Sequence, residues 1–294
     1  MSELQRISIV IPSRNEAIGL SNLLPRILCI LHEAEILVVD DGSIDDTPAV
    51  CARHAVRAIR HPYTKGNGAA VKSGARLATG DVIIFMDADG QHKPEDIPAL
   101  LSKFDEGHDM VVGARQTGSQ AGLHRAVAND LFSRFASWMV MQPIADLTSG
   151  FRVVRAAKFR QFLYLLPNGF SYPTTITMSF FRAGYSVAYV PIHAPPRSSG
   201  VSHIHPLRDG VRFLLIIIKV GTLFSPQKLF LPVSGGFFVT GMAYYAYTYL
   251  SAGRFTNMSA LLFISAIFTF LIGIVSEQIS ALHYKGIDTT KHED

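Results

Sequence analysis

From Ile7 to about Pro191 the chain alternates short apolar, β-branched runs with longer segments of helical period. The runs are Ile7–Ile11, Ile36–Val39, Val56–Arg60, Val82–Met86, Met110–Val112 and Val187–Val190. Short apolar runs read as buried strands, and strands separated by helices build a largely parallel sheet covered on both faces. The expected fold class is α/β. In such a sheet ligands bind beyond the carboxyl ends of the strands, so the polar clusters that follow the runs are where chemistry is expected.

The pattern changes beyond Pro206. Pro206–Phe224 carries Arg208, Arg212 and Lys219, which fall within roughly 40° of one another on a helix, with Phe213–Ile218 on the remaining faces. An amphipathic helix lying in a membrane headgroup region is expected there, over 205–226. The 22-residue run Leu229–Leu250 carries no charge, and a second uncharged run covers Asn257–Ser276. A bilayer core needs about 20 helical residues, so a two-helix transmembrane hairpin is expected, with spans at 229–250 and 257–279. The expected division is a first domain over 1–204, the interfacial helix over 205–226, and the hairpin with a short tail over 227–294. Arg208, Arg212, Lys219 and Lys228 precede the first span and Lys285 and Lys291 follow the second, against Arg254 alone in the connecting loop. That asymmetry places the first domain and both termini on the cytoplasmic side. Met1–Arg6 has neither a charged n-region nor an apolar h-region, so no signal peptide is expected.

Composition sharpens this picture. Of 294 residues 48% are hydrophobic and 17% charged, and the apolar excess is concentrated in the C-terminal runs. Cys29 and Cys51 fall in separate helical segments with no metal-ligand spacing, as reduced thiols of a cytosolic domain do. The net charge of +4 comes without an aromatic-interleaved basic patch or a base-reading motif, which fits a bilayer surface and not nucleic acid.

Among the polar clusters, Val82-Ile-Ile-Phe-Met-Asp87-Ala88-Asp89-Gly90-Gln91 ends a buried strand in two carboxylates one residue apart, with an amide two further on. Alternation sends Asp87 and Asp89 to one side, where they can share a hard cation. Oxygen ligands without Cys or His favour Mg²⁺ or Mn²⁺ over zinc. The first strand runs into Pro12-Ser13-Arg14-Asn15-Glu16 and the second into Val38-Val39-Asp40-Asp41-Gly42-Ser43. A carboxylate at a strand end can accept from a base N–H or a ribose hydroxyl, although each cluster taken singly reads equally well as helix capping. Lys65-Gly66-Asn67-Gly68-Ala69-Ala70 offers small residues at a helix start, where backbone N–H groups can approach phosphate. It is not a dinucleotide fingerprint, because Val71 stands where the third glycine belongs.

Taken in order, Pro12/Asn15/Glu16, Val-Val-Asp-Asp-Gly-Ser, Gly66-Asn-Gly68, Asp87-Ala-Asp89-x-Gln91 and Gly150-Phe-Arg152 resemble the family 2 inverting glycosyltransferases with a GT-A fold. Within them the chain is most similar to the dolichol-phosphate mannose synthase and polyprenyl-phosphate glucosyltransferase branch. The resemblance extends through Arg197-Ser-Ser-Gly200-Val-Ser202-His203 and Phe224-Ser-Pro226 to the terminal helix pair. It implies a membrane-bound enzyme that moves a hexose from a UDP- or GDP-linked sugar to polyprenyl or dolichyl phosphate, with Mg²⁺ or Mn²⁺ as cofactor. It puts Pro12, Arg14, Glu16, Val39 and Asp40 around the base and ribose, with Lys65 and Ala88 added to the nucleotide-sugar set. Asp87, Asp89 and Gln91 would hold the metal, Arg115 would meet phosphate, and Arg197 and His203 belong to a loop that closes on the diphosphate. Arg14 stands where the family often has an aromatic residue, and His203 where it often has lysine.

A phosphate acceptor changes what catalysis requires. Its second ionisation lies near pH 6, so the nucleophilic oxygen arrives charged and a general base is dispensable. Positioning, metal help for the leaving diphosphate and cations between two phosphate groups remain necessary. Asp89, Arg115, Arg197 and Asp146 are the catalytic candidates, with Arg115, Arg125 and Arg134 as candidates for the acceptor phosphate. Asp146, in Ala-Asp146-Leu-Thr-Ser-Gly-Phe, can orient Arg115 or an acceptor, or cap a turn. A glycan or lipid hydroxyl acceptor would instead need Asp146 or another carboxylate as base. A non-catalytic nucleotide-sugar sensor is disfavoured by the intact Asp87/Asp89/Gln91 set. A processive synthase is disfavoured because Trp138 follows Phe-Ala-Ser and not the Gln-x-x-Arg of such enzymes. Oligomeric state is left open.

Overall fold

Four buried apolar strands form the middle of the first unit: β1 (Ile7–Ser13), β2 (Glu35–Asp40), β4 (Val82–Phe85) and β5 (Met110–Arg115). The computed structural model describes residues 6–115, 133–169, 172–193, 218–219 and 221–288, and these divide into two compact units, Met1–Ser202 and His203–Asp294. With β3 (Arg57–Arg60), β6 (Arg152–Arg155) and β7 (Val187–Ile192), the strands make a seven-stranded sheet in the order β3-β2-β1-β4-β6-β5-β7.

All pairings but those of β6 are parallel. β6 runs antiparallel between β4 and β5, with Arg152 opposite both Phe85 and Val112. This strand is absent from the sequence reading because its apolar content is only Val153 and Val154, set between two arginines. At one edge, β3 exposes Arg57 and Arg60, charges that discourage edge-to-edge pairing.

Helices cover both faces. α1 (Ala17–Ile30) buries Leu20, Leu23, Leu24 and Ile27, spaced as one helical stripe, and packs with α4 (Ile97–Asp105) on the face carrying Ile9, Ile11 and Val38. α2 (Thr47–Arg53) adds Val50 and Cys51 to that core. On the other face α3 (Asn67–Leu77) approaches so closely that Gly74 lies against Val10 and Val39, leaving no room for a side chain. The strand ends carrying polar clusters therefore open at one edge of the sheet, between the helix starts.

In the second unit two helices, Pro226–Ala252 and Asn257–Asp288, form a hairpin. Gly253 ends the first in the left-handed region (φ 62°), where a side chain would be strained, and its N–H returns to the Tyr249 carbonyl at 2.9 Å. Gly241 packs against Leu262 and Phe263 and Gly273 against Phe230, while Ser234 Oγ donates to the Ala266 carbonyl at 2.8 Å. Small residues and a satisfied hydroxyl at the contact are how apolar helices associate without help from water. Pro226–Ala252 and Asn257–Leu282 have mean hydropathies of 1.3 and 2.5, are largely exposed, and are long enough to cross a membrane. Tyr244, Tyr247, Tyr249 and Phe255 gather near the connecting turn, as aromatic residues do at a bilayer surface. Of the interfacial helix expected over 205–226, Arg208 and Arg212 lie outside the described residues.

Candidate active site

Beyond the carboxyl ends of β1, β2, β4 and β5 lies a cleft of about 630 Å³. Pro12, Ser13, Arg14, Glu16, Asp41, Asp87, Ala88, Asp89, Gln91, His92 and Arg115 line it, joined by Thr148, Gly150 and Tyr172 from segments further along the chain. β4 is buried along its whole length, so the first residues that can reach solvent are those following Met86. Asp89 Oδ1 accepts the Gln91 N–H at 3.1 Å, which folds the three oxygen-bearing side chains into one turn. Gly19 at the start of α1 presses on the Ala88 carbonyl, where any side chain would overlap.

His92, one residue past the expected motif, secures this turn. It is buried, stacks on Phe151 at 5.0 Å, and its Nδ1 accepts the Asp87 N–H at 2.9 Å. Burial holds the imidazole below its ordinary pKa against the pull of Asp87 and Asp89, so the ring is neutral with its proton on Nε2. Gly150 closes the other side, where a methyl group would come within 2.8 Å of Asp87 Oδ2. Gly150→Ala is therefore expected to raise the divalent metal concentration needed for half-maximal activity by about tenfold, the Asp87 carboxylate being displaced with little loss of fold. An unchanged metal titration would remove Gly150 from this role.

Arg115, at the end of β5, is held by Asp146 in a two-pronged pair, Nε to Oδ2 at 2.8 Å and Nη2 to Oδ1 at 3.0 Å. Its Nη2 also donates to Thr148 Oγ1 at 2.5 Å. Asp146 is 1% exposed, and its oxygens further accept the N–H groups of Thr148, Ser149 and Arg115. Burial alone would push this carboxyl up, but the guanidinium and the N–H groups outweigh it and hold it below the usual carboxylate range. Burial opposes the charge on Arg115 too, and Asp146, Asp87 and Asp89 more than offset it. The two sequence readings of Asp146, orienting Arg115 and capping a turn, describe the same set of bonds.

At the end of β2 Asp40 and Asp41 separate. Asp41 lines the cleft, accepts the N–H groups of Lys65 and Gly66, both at 2.8 Å, and takes His61 Nδ1 at 2.6 Å. His61 Nε2 meets Ser73 Oγ at 2.9 Å. Burial would raise the Asp41 carboxyl, but His61 and these N–H groups bring it below its ordinary value. Asp40 is 2% exposed; its Oδ1 accepts the Ser43 N–H, and none of the described residues hydrogen-bonds its Oδ2, with Arg60 Nε at 3.5 Å. Val39 is buried in the sheet beside Gly74, and Lys65 is exposed with its ammonium over the Tyr63 ring. The amides at the start of α3 are partly committed within the protein, Ala69 N–H to the Asn168 carbonyl at 3.1 Å. Gly66 and Gly68 allow that close approach of residues 167–169, while Gly66, Asn67 and Ala70 line the cleft.

Arg134 lies in helical residues 133–140, is exposed, and is not among the residues lining the cleft. Arg125, Arg197 and His203 lie outside the described residues. Asp41 and Gly150, which the sequence motifs contain without a site role of their own, and His92 and Tyr172, which no motif contains, also line the cleft. Of the last two only His92 has a local signal, its adjacency to Gln91.

A family model described as glycosyl transferase family 2 matches residues 8–163, the span that contains every strand of the sheet but the last, β7, and all the cleft carboxylates. The chain belongs to glycosyl transferase family 2. A second model, the GtrB C-terminal hairpin, matches residues 225–282, the two apolar helices, which associates this glycosyltransferase with a membrane. Among relatives, the polyprenol monophosphomannose synthase of Mycolicibacterium smegmatis is 30% identical over 67% of this chain and 80% of its own. The dolichol-phosphate mannosyltransferase of Pyrococcus furiosus is 40% identical over 37% of this chain and 33% of its own. Among solved structures, glucosyl-3-phosphoglycerate synthase from Mycobacterium tuberculosis, in complex with Mn²⁺, UDP and glucosyl-3-phosphoglycerate, aligns over 74% of this chain and 78% of its own. Its TM-score is 0.59 at 18% identity, a likeness of fold, and that fold is GT-A. The oxygen donors of this glycosyltransferase fit a divalent cation. Asp87, Asp89 and Gln91 share one turn, and Gly150 leaves a space beside Asp87 Oδ2 that a side chain would fill. Mg²⁺ is commonly held by one or two carboxylates plus substrate phosphate oxygens, the number this turn supplies.

Proposed function

We propose that this glycosyltransferase moves a hexose from a UDP- or GDP-linked sugar to polyprenyl or dolichyl phosphate, inverting the anomeric centre. The observation that carries the reading is the state of Asp146. A hydroxyl acceptor needs a base, and the carboxylate considered for it has both oxygens engaged by Arg115, Thr148 and Ser149 and is held below the usual range. A phosphate acceptor needs no such group. The GtrB hairpin and the printed activities of the Mycolicibacterium and Pyrococcus relatives support the same acceptor class.

In this reading Asp87, Asp89 and Gln91 hold Mg²⁺ or Mn²⁺, which when bound offsets charge growing on the departing diphosphate. Pro12, Arg14, Glu16, Asp40 and Asp41 take the nucleoside, with Asp40 Oδ2 as a buried acceptor for a base N–H. Arg115 has both Nε and Nη2 fixed by Asp146, so its charge is preorganised where a phosphate oxygen gains charge in the transition state. Arg125 and Arg134 are assigned to the acceptor phosphate and Arg197 and His203 to loop closure. The catalytic unit and both termini are assigned to the cytoplasm from the basic residues flanking the spans.

The test is incubation of the purified full chain with Mg²⁺, a panel of nucleotide-sugars, and either polyprenyl phosphate or the free polyprenol. A lipid product of the mass of a phosphate-linked hexose is expected only with the phosphate. Product from the free alcohol at a comparable rate would favour a hydroxyl acceptor. Deleting Leu229–Asp294 is expected to leave a folded unit whose nucleotide affinity stays within about threefold, since the sheet is complete before Pro206. Transfer to a long-chain lipid should fall far more, and failure of the truncated chain to fold would join the hairpin to the core.

A further inference from the structure

Tyr172 is a buried phenol that the motifs do not mention. It opens the helix Tyr172–Arg182, is 1% exposed and lines the cleft. Its ring lies under the guanidinium of Arg152, 5.9 Å from the centroid. Arg152 is itself fully buried and donates to the carbonyls of Ser149 and Pro173 and to Thr177 Oγ1. It thereby ties the turn holding Asp146, Thr148 and Gly150 to the helix that begins at Tyr172. Among the described residues none hydrogen-bonds the Tyr172 hydroxyl. That hydroxyl and Asp87 Oδ2 flank Gly150, whose absent side chain would sit 3.4 Å from the one and 2.8 Å from the other.

The ring is buried but the hydroxyl opens on the cleft, beside a metal-side carboxylate, where a bound ligand can supply the partner that such a group ordinarily finds. We propose that the Tyr172 hydroxyl donates a hydrogen bond to an oxygen of the bound donor beyond its nucleoside, either a diphosphate oxygen or a sugar hydroxyl. The inference rests on the nucleotide-sugar reading of the cleft and on no particular acceptor. Burial and the nearby Asp87 push the phenol above its ordinary pKa, so it remains an O–H donor throughout the neutral range.

Tyr172→Phe removes only the hydroxyl and keeps the ring under Arg152, so folding is preserved. The control is Tyr189→Phe, which deletes a buried hydroxyl that none of the described residues hydrogen-bonds and that lies outside the cleft lining. Calorimetric titration of the full chain with Mn²⁺ and either UDP and UDP-glucose or GDP and GDP-mannose separates the two oxygens. A sugar hydroxyl partner predicts a threefold to tenfold weaker nucleotide-sugar with the free diphosphate unchanged, and a phosphate oxygen predicts roughly tenfold or greater weakening of both. Wild-type affinities for all ligands in Tyr172→Phe, or an equal loss in Tyr189→Phe, overturn the proposal. If wild type binds nucleotide-sugar but does not glycosylate polyprenyl phosphate, the acceptor reading falls and the Tyr172 result still stands. If wild type binds none of the nucleotides, both fall.

Discussion

Asp89→Asn is expected to lower sugar transfer by on the order of 10³-fold at physiological metal, because on the proposed assignment it removes a full charge from the turn that would hold the cation at the leaving diphosphate. Stability should be nearly untouched. Asp89 lies at the cleft wall beyond the buried strand, and its Oδ1 bond to the Gln91 N–H can be kept by the amide oxygen. The measurement is single-turnover transfer across a Mn²⁺ titration, with the thermal midpoint followed in parallel. Full activity regained at high metal would mean that Asp89 contributes affinity alone. Unchanged activity at every metal concentration would remove the metal assignment from this turn.

Arg115→Ala is expected to act on both stability and rate. It leaves Asp146 buried with its charge unpaired, a loss of roughly 3–5 kcal/mol, and removes the fixed cation, a loss of about 10²-fold or more in transfer. The double replacement Arg115→Ala with Asp146→Ala should recover part of the stability and none of the rate, which separates the two effects. If the double variant regains transfer, Arg115 is structural. Asp146 also sets an acid limit. Its carboxyl is held low in the folded state, so between the folded value and the ordinary one, about 3.9, the unfolded chain binds more protons. The stabilisation is therefore complete above that ordinary value and is lost as pH falls through the folded one. Asp41 and Asp109, lowered by His61 and by Lys158 with the Ser186 N–H against the cost of burial, act in the same direction. Thermal midpoints should be flat near neutrality and drop below about pH 4, and the drop should shrink in the double variant.

Much of this was legible in the sequence because strand burial and carboxylate placement are local properties. Val82–Phe85 is apolar at every position, so its end had to be where Asp87 and Asp89 emerge. β6 was not legible, since Val153 and Val154 between arginines carry too little apolar content to announce a strand. Its burial depends on two neighbours from elsewhere in the chain. Asp40 and Asp41 show the limit at single-residue scale, because adjacent carboxylates at a strand end differ only in which face they take. The choice is made by His61 and the Lys65–Gly66 turn for Asp41, and by Ser43 for Asp40. Tyr172 could not be found from pattern at all, since an aromatic at a helix start reads as core until Gly150 and Arg152 place it against Asp87.

The antiparallel strand has a further consequence, for how the chain is made. β6 lies between β4 and β5 in space but follows both in sequence. As the polypeptide leaves the ribosome, β4 therefore has β1 on one side and nothing on the other until Arg152–Arg155 has emerged. At synthesis rates of about 5–20 residues per second, that interval lasts on the order of several seconds. Throughout it the apolar edge Val82–Phe85 is the template a chaperone or a neighbouring nascent chain would read. A substitution that weakens β6 would thus lower the yield of folded protein in cells before it altered the turnover of the molecules that fold.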